Sequence, residues 1–216
     1  MILINFKAYP EACGDKGLRL AELCEEVSRE SKKEIAIAPQ ITELALISKR
    51  VSIPVFAQHA DAVVPGAKTG HITLESIKPY ALGTLINHSE RRLRIAEIEF
   101  LVKRCRFLDL LSVICTNNLE VSKALASFDP DFIAIEPPEL IGSEISVTTA
   151  DPEIVRGTVG SVKEINPKVK VLCGAGIKTS EDLKKAYELG AFGVLLASGV
   201  VKAENPREVL LDLVRY

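Results

Sequence analysis

The segment GTLINHSERR, residues 83–92, passes from a short apolar and β-branched run directly into polar residues. The run shows no alternation between apolar and polar positions, which is typical of a parallel strand whose two faces are both covered. The polar residues that follow it, Asn87 to Arg92, lie where the carboxyl end of that strand would be. The segment therefore predicts a buried parallel strand that ends in candidate functional side chains.

Runs of the same kind recur along the chain, and amphipathic segments separate them. Between the first two runs, Leu20, Cys24 and Val27 repeat at the spacing of one helix face. Glu22 and Glu26 lie on the opposite side of that helix. Alternating strands and helices predict an α/β fold with a parallel sheet. The eight predicted strands are residues 2–6, 34–38, 54–58, 83–87, 111–115, 132–136, 169–173 and 192–196.

Helical patterns fill most of the connections, and several carry recognisable start signals. Asp151 and Asn205 each precede a proline, as expected of an N-cap followed by proline in the first turn. Ser180 precedes two acidic residues, and Gly190 suits a left-handed helix end. The helical pattern is weakest over residues 60–82. Further helices are predicted near residues 42–50, 90–106, 119–127, 152–164, 181–189 and 206–214.

Eight such units fit either a closed (β/α)8 barrel or an open doubly wound sheet, and the pattern alone does not separate them. The positions of the polar residues favour the barrel. Asn5 and Lys7 end the first strand, His88 ends the fourth, Glu136 ends the sixth, and small residues follow the seventh and eighth. In a barrel these ends meet at one mouth. We therefore expect a single α/β domain, a (β/α)8 barrel, over residues 1–216.

The composition shows no dominant charge. Hydrophobic residues make up 47% of the chain, and 27 basic against 29 acidic residues give a net charge of −2. Neither nucleic acid nor a membrane is therefore an expected partner. The five cysteines are scattered without a C-x-x-C pair, which argues against a disulfide framework or a structural zinc site. With no signal-peptide pattern, we expect a cytoplasmic protein that needs neither a metal nor a cofactor.

The polar residues at the predicted mouth suit one kind of chemistry. Glu136 offers a carboxylate base, His88 an imidazole that can act while neutral, and Lys7 a fixed cation. The small residues after strands seven and eight offer main-chain amides to an anion such as phosphate. Taken singly, each residue is explained equally well as a polar position where a strand ends. Taken together, they favour removal of a proton next to a carbonyl, with the resulting negative charge stabilised by neighbouring groups.

Three segments resemble those of a known enzyme family. N-F-K at 5–7, N-H-S-E-R-R at 87–92 and I-E-P-P-E-L-I-G at 135–142 are similar to the signature segments of triosephosphate isomerases, in the same order and at the same strand ends. The similarity extends over essentially the whole chain, and the short length resembles the archaeal branch. It implies an enzyme of glycolysis and gluconeogenesis that interconverts dihydroxyacetone phosphate and D-glyceraldehyde 3-phosphate through an enediolate.

The resemblance also implies roles for the residues at the mouth. Glu136 would be the base, His88 the electrophile and Lys7 the essential cation. Asn5 would be an amide that positions the substrate. A glutamate base with a neutral histidine is the established pairing in that family, and it is carried over here on the resemblance alone.

Two neighbours of His88 are expected to support it. The resemblance implies that Glu90 supplies a carboxylate behind the catalytic groups. Ser89 is expected to be the N-cap of a helix that begins near Glu90. The imidazole would then face the unpaired amides of a helix start.

A lid and a phosphate site are implied in the same way. The lid would exclude water when closed, and its continuation I-G-S-E differs from the usual I-G-T-G, so that Glu144 replaces a flexible hinge residue. The lid residues are Pro137, Pro138, Glu139, Leu140, Ile141 and Gly142. The expected phosphate contacts are Gly142, Ser143, Gly174, Ala175, Gly176, Ala197 and Ser198.

Self-association is also implied by the resemblance. Gln58 and the segment G-A-K-T-G, residues 66–70, resemble the loop through which one subunit supports its neighbour's site, with Thr69 reaching the partner. A homodimer or homotetramer is therefore expected, although a turn-rich surface loop would look alike. His59 and His71 lack a metal-binding pattern.

Two other functions stay open at this level. The turns at 174–176 and 197–198 would suit another phosphate-binding barrel, such as an indole- or histidine-pathway isomerase or synthase. Lys7 and His88 argue against that assignment. The second alternative is a non-catalytic barrel that serves as a binding module, against which an intact Glu136 argues. Turnover of glyceraldehyde 3-phosphate separates these functions.

Overall fold

The fold is a barrel of parallel strands in this computed structural model, which describes residues 1–138 and 146–215. The strands are β1 (Ile2–Asn5), β2 (Ile35–Ala38), β3 (Phe56–Ala57), β4 (Gly83–Ile86), β5 (Leu111–Thr116), β6 (Phe132–Ile135), β7 (Lys170–Gly174) and β8 (Gly193–Leu196). They pair in the order β2-β1-β8-β7-β6-β5-β4-β3, and every pair is parallel. The prediction of a (β/α)8 barrel is confirmed.

The barrel closes where β2 meets β3. Ile37 forms an isolated parallel bridge with Val55, and its N–H donates to the Pro54 carbonyl at 3.0 Å. β3 is shorter than the predicted strand 54–58. Pro54 has no N–H to offer to a ladder, which limits pairing at the start of this strand. The seam between β2 and β3 is therefore held by fewer regular contacts than the other seams.

Helices connect the strands on the outside. They are α1 (Asp15–Ser31), α2 (Ile41–Ser48), α3 (Leu74–Ile77), α4 (Ile95–Phe107), α5 (Leu119–Ala126), α6 (Val147–Ala150), α7 (Pro152–Ile165), α8 (Ser180–Glu188), α9 (Ser198–Val201) and α10 (Pro206–Leu213), with a 3-10 turn at Pro10–Ala12. Only α3 forms within residues 60–82, where the helical pattern is weakest. The short helices α6 and α9 were not predicted.

Side-chain caps explain several helix starts. The side chain of Asp151 accepts from the Ile154 N–H at 3.1 Å, and Asn205 caps α10 in the same way. For α8 the cap is Thr179, whose hydroxyl accepts from the Asp182 N–H, so Ser180 is the first helical residue and not the cap. Gly190 follows that helix with a φ of 92°, the left-handed conformation that its sequence position predicts.

The strands separate two apolar regions. Leu3, Leu85 and Leu172 point into the barrel, together with other residues from alternate positions. Ile2 and Ile4 point outward, against the helices. This arrangement follows from the period of two along a strand, and because both faces are buried the strand sequences are mostly apolar.

Among residues 1–138 and 146–215, no helix is both long enough and apolar enough to cross a membrane. The strands form one sheet. The assignment of residues 1–216 to one domain stays a prediction.

Candidate active site

A cavity of about 270 Å3 opens at the carboxyl ends of the strands. Its lining comes from elements that are far apart in the sequence: β1, β8 and the segments that follow β1, β4, β6, β7 and β8. The predicted residues that line it are Asn5, Lys7, His88, Glu90, Glu136, Ala175, Gly176, Ala197 and Ser198. The barrel thus brings a carboxylate, an imidazole and an ammonium group to one opening.

Glu136 and His88 face each other across this cavity. His88 Nε2 lies 3.5 Å from Glu136 Oε1. Both residues are buried, with relative exposures of 6% for His88 and 7% for Glu136. Glu136 Oε2 is also buried and has no hydrogen-bond partner in the described part of the chain. A buried carboxylate oxygen without a partner is costly, and such atoms are characteristic of sites that act on a ligand.

A main-chain hydrogen bond determines which ring nitrogen of His88 is the acceptor. The Glu90 N–H donates to His88 Nδ1 at 3.3 Å, so Nδ1 acts as an acceptor. A neutral imidazole that accepts at Nδ1 carries its proton on Nε2. Glu90 Oε2 lies 3.6 Å from Nδ1, too far for a normal hydrogen bond. Nε2 can therefore donate a hydrogen bond into the cavity.

The expected N-cap role of Ser89 is wrong. The helix α4 begins at Ile95, and its cap is Arg94. Asn87 explains the delay: its side-chain oxygen accepts from the Leu93 N–H at 2.9 Å and its carbonyl from Arg92 Nη1 at 3.0 Å, which holds the intervening residues as a turn. The amide facing His88 thus comes from a turn and not from a helix start. Ser89 Oγ is buried and has no partner among the described residues.

Lys7 is held in an unusual backbone conformation. Its φ is 48°, a left-handed value that costs a non-glycine residue about 1 kcal/mol or more. Three contacts maintain it. The Lys7 N–H donates to Asn5 Oδ1 at 2.9 Å, its carbonyl accepts from Gln58 Nε2 at 3.0 Å, and its Nζ lies 2.8 Å from Glu90 Oε1. The ammonium group is therefore positioned by contacts from β1 and from the segments after β3 and β4.

Gln58 forms its hydrogen bonds with residues of its own chain. Besides the Lys7 carbonyl, its Nε2 donates to the Ala38 carbonyl at 2.9 Å. This amide therefore joins the ends of β1 and β2. The expected contact of Gln58 with a partner subunit stays a prediction, and so does that of Thr69, which is exposed.

The turn after β7 contains one residue that packs against Glu136 and two that line the cavity. A Cβ on Gly174 would lie 2.5 Å from Glu136 Cγ, so only glycine leaves room for the Glu136 side chain. Ala175 and Gly176 follow with φ values of 79° and 71°. The structure places Gly174 against Glu136, whereas Ala175 and Gly176 line the cavity. Consecutive residues of this kind can direct main-chain N–H groups toward an anion.

The turn after β8 completes this side of the cavity. Ala197 precedes α9 and makes no side-chain cap. In the described chain, the amides of Ser198 and Gly199 donate no main-chain hydrogen bond. A helix of one turn leaves its first amides unpaired. Both residues line the cavity, so their N–H groups are available to a ligand.

Several contributions were not anticipated from the sequence. Tyr9, Lys178 and Gly199 also line the cavity. Burial raises the pKa of the Cys115 thiol well above its ordinary value, and the nearby Glu136 carboxylate adds to the shift. Cys115 is buried, and its proximity to Glu136 was not predicted from the sequence. The sequence signal for Lys178 was its position, since it is a cationic residue two positions after the predicted turn 174–176.

The lid segment is described only at its start. Pro137 is buried and Pro138 is exposed. The other predicted lid residues, Glu139, Leu140, Ile141 and Gly142, lie outside the described residues, as do Ser143 and Glu144.

A second cavity of about 240 Å3 adjoins the first. Lys7, His88 and Glu90 line both cavities, and Gln58 lines the second one. Across residues 1–138 and 146–215, no group of three or more histidine, cysteine, aspartate or glutamate residues could hold a metal ion.

Known proteins with similar sequences identify the family of this chain. The family model described as triosephosphate isomerase matches residues 1–216. The triosephosphate isomerase of Methanocaldococcus jannaschii is 54% identical over 100% of this chain and 99% of its own length. Those of Archaeoglobus fulgidus and Methanosarcina acetivorans are 53% and 52% identical, each over 99% of this chain and 96% and 97% of their own. The chain is therefore an isomerase that belongs to the triosephosphate isomerase family.

Proposed function

We propose that the chain interconverts dihydroxyacetone phosphate and D-glyceraldehyde 3-phosphate by proton transfer through an enediolate. One observation supports this proposal above the others. Glu136 Oε1 lies 3.5 Å from His88 Nε2 in a cavity that Lys7 also lines, while Glu136 Oε2 is left without a partner in the described chain. A base, a hydrogen-bond donor and a cation can therefore act on one small substrate.

Glu136 is the base in this proposal. Its buried carboxylate takes a proton from one carbon of the bound triose and returns it to the neighbouring carbon. Burial keeps water away from the carboxylate, and the glycine at position 174 allows the side chain to reach the cavity. The geometry is sensitive, because reacting atoms must approach to about 3–3.5 Å.

His88 and Lys7 stabilise the negative charge that appears on the substrate oxygen. The Nε2–H of His88 donates to this oxygen, because the Glu90 N–H occupies Nδ1. The ammonium group of Lys7 adds a positive charge, and its pairing with Glu90 fixes its position. Asn5 uses its side-chain oxygen to hold the Lys7 N–H, which leaves its Nδ2 for the substrate.

The turns after β7 and β8 bind the phosphate group in this proposal. Amides of Gly176, Ser198 and Gly199 are the candidate donors, since small residues let the main chain approach an anion. Gly142 and Ser143 are expected to contribute from the lid.

Self-association and cellular location belong to the same proposal. We infer a homodimer or homotetramer in which the exposed segment 66–70 of one subunit enters the second cavity of its neighbour. Lys7 and His88 line this second cavity, so a partner segment that enters it would contact both proposed catalytic residues. This position of the cavity supports the arrangement. A cytoplasmic role in glycolysis and gluconeogenesis follows from the activity.

A coupled assay tests the proposed function. Purified chain should convert glyceraldehyde 3-phosphate to dihydroxyacetone phosphate, as detected through a dehydrogenase that consumes the product. A Glu136→Gln variant, which keeps the side-chain shape but removes the base, should lose this activity while it keeps the circular dichroism spectrum. Folded wild-type chain without turnover would instead support a binding module or a different phosphate-binding barrel.

A further inference from the structure

The residue before His88 has an unusual backbone conformation. Asn87 follows β4 directly, is buried, and has a φ of 62°. This left-handed conformation is costly for most residues, and asparagine is one of the few that adopt it readily. The chain therefore leaves the strand sharply at this point. The direction in which His88 projects depends on the contacts that hold Asn87.

The side-chain amide of Asn87 is used at both ends. Its Nδ2 donates to the Cys115 carbonyl at 3.0 Å, one residue beyond Ile114, where the pairing of β4 with β5 ends. Its Oδ1 accepts from the Leu93 N–H at 2.9 Å. A carboxamide offers a donor and an acceptor together, whereas a carboxylate offers acceptors only. Asparagine therefore ties the turn 87–93 to the end of β5.

The end of β5 also holds Glu136. The Glu136 N–H donates to the Thr116 carbonyl at 2.8 Å, next to the Cys115 carbonyl that accepts from Asn87. In the sheet, β5 lies between β4 and β6. Two adjacent residues of β5 therefore set the positions from which His88 and Glu136 project. The 3.5 Å between His88 Nε2 and Glu136 Oε1 depends on both hydrogen bonds.

Two groups of Glu90 compete for His88 Nδ1. The Glu90 N–H donates to this nitrogen at 3.3 Å, while Glu90 Oε2 lies 3.6 Å from it. A carboxylate that accepted from Nδ1–H would hold the ring proton there, and Nε2 would then be unable to donate. The hydrogen bond between Asn87 and Leu93 closes the turn in which the N–H, and not the carboxylate, is the nearer group.

We propose that Asn87 is a positioning residue that holds His88 with its proton on Nε2 and at a fixed distance from Glu136. This inference rests on the proposed function, in which Nε2–H donates to the substrate oxygen. Asn87 acts through His88 and not on the substrate, because Cys115 and Leu93 use its side-chain amide. Its loss should therefore lower kcat more than it raises KM, since the phosphate-binding turns after β7 and β8 are left unchanged.

The main variant is Asn87→Gly, which keeps the left-handed backbone accessible and removes only the side-chain amide. We expect it to lower kcat by about 10- to 100-fold, because a displaced donor loses part of its effect on the transition state. The KM for glyceraldehyde 3-phosphate should change less than about threefold. Asn118→Ala is the matched control, since Asn118 lies just after β5 and its Oδ1 accepts from the Val121 N–H at 2.8 Å. This control should melt at a lower temperature and keep the wild-type kcat.

Nitrogen NMR of isotopically labelled histidine reports the position of the ring proton. The chain has three histidines, and the variants His59→Gln and His71→Gln identify the His88 signals by elimination. In the free protein at pH 8, His88 should carry its proton on Nε2 in wild type and in Asn118→Ala. In Asn87→Gly the population with the proton on Nδ1 should increase.

A second variant covers the case in which Asn87→Gly does not fold. Asn87→Asp keeps the acceptor for the Leu93 N–H and loses the donor to the Cys115 carbonyl. It should show the loss of kcat and the shift of the His88 proton to a smaller extent than Asn87→Gly.

The measurements distinguish failure of this inference from failure of the proposed function. A folded variant at Asn87 with wild-type kcat, or with an unchanged His88 spectrum, would overturn the inference. A wild-type His88 that carries its proton on Nδ1 would also overturn it. If wild type does not turn over glyceraldehyde 3-phosphate, the proposed function fails instead. The spectra need no substrate and would then still decide whether Asn87 positions His88.

Discussion

The barrel has a cavity at each end, and the larger one lies away from the candidate active site. The cavity at the amino ends of the strands measures about 720 Å3, against about 270 Å3 at the carboxyl ends. The polar groups of the larger cavity are largely satisfied. Asp131 Oδ2 accepts from the N–H and Oγ of Ser112 at 2.8 and 2.9 Å, and Arg106 pairs with Asp129 at 2.8 Å.

The smaller cavity keeps a buried polar atom without a partner, since Glu136 Oε2 has none in the described chain. Backbone strain does not separate the two ends, because residues with positive φ line both cavities: Lys7 and Ala175 the smaller one, Asp109 and Asp129 the larger one. Unpaired buried polar atoms cost stability and persist where the surrounding structure enforces them. The comparison teaches that unsatisfied groups, and not the size of a cavity, identify the reactive end of this barrel.

Changing the carboxylate at the active-site end should have the largest effect on kcat. We expect Glu136→Asp, which withdraws the carboxylate by one methylene, to lower kcat by about 100-fold or more. At the other end even complete removal of a carboxylate, Asp131→Ala, should leave kcat unchanged, because Asp131 binds only Ser112 of β5 at that end. Steady-state kinetics with glyceraldehyde 3-phosphate measures both. A Glu136→Asp enzyme with wild-type kcat would remove Glu136 from its proposed role.

Two glycines test the comparison without altering a charge. A Cβ at Gly174 would lie 2.5 Å from Glu136 Cγ, so Gly174→Ala should displace the base and lower kcat by roughly tenfold or more. A Cβ at Gly193 would collide with the Met1 carbonyl at the other end. Gly193→Ala should therefore lower the melting temperature while the folded fraction keeps its kcat. Equal effects of the two changes on kcat would contradict this division.

The satisfied end should contribute to stability. Asp131→Ala leaves the buried Ser112 without its carboxylate partner and should lower the free energy of unfolding by about 1–3 kcal/mol. Urea denaturation of wild type and variant measures this difference. No change in the transition midpoint would show that solvent replaces the carboxylate fully.

The smallest effect concerns pH at the active-site end. Burial lowers the pKa of His59 below its ordinary value of 6.5, although its hydrogen bond to Asp61 partly opposes the shift. Between the lowered pKa and 6.5, the unfolded chain binds a proton that the folded chain does not, so stability should fall as pH decreases through this window. Wild type should lose more stability than His59→Gln between pH 7.5 and 5.5 in urea titrations. Parallel curves for the two proteins would exclude a role for His59.

Much of the fold could be predicted from the sequence, because buried parallel strands are mostly apolar on both faces. All eight strands were predicted, and Asp151, Asn205 and Gly190 mark helix ends by local chemistry. The shortness of β3 and the late start of α4 depend on contacts that a local pattern does not contain. In α4 the decisive contact is between Asn87 and Leu93, across a turn that looks like a helix start.

The candidate site shows the same limit. The positions of Glu136, His88 and Lys7 follow from strand ends, and their roles were implied by resemblance to the family. The support of Lys7 by Gln58 joins residues that are 51 positions apart, so no local spacing signals it. Gly174 was expected to bind phosphate, but a Cβ at this position would meet the Glu136 side chain, a proximity between the ends of β7 and β6 that arises only when these strands pair.

The weak seam between β2 and β3 has a consequence for inactivation. Gln58 follows β3 and holds the carbonyls of Lys7 and Ala38, directly beside the single bridge that closes the barrel. Transient separation of this seam would release Lys7 from its left-handed conformation without unfolding the other strands. Heating should therefore abolish turnover before the helices melt, and amide hydrogen exchange should be faster at Ile37 than at Val113.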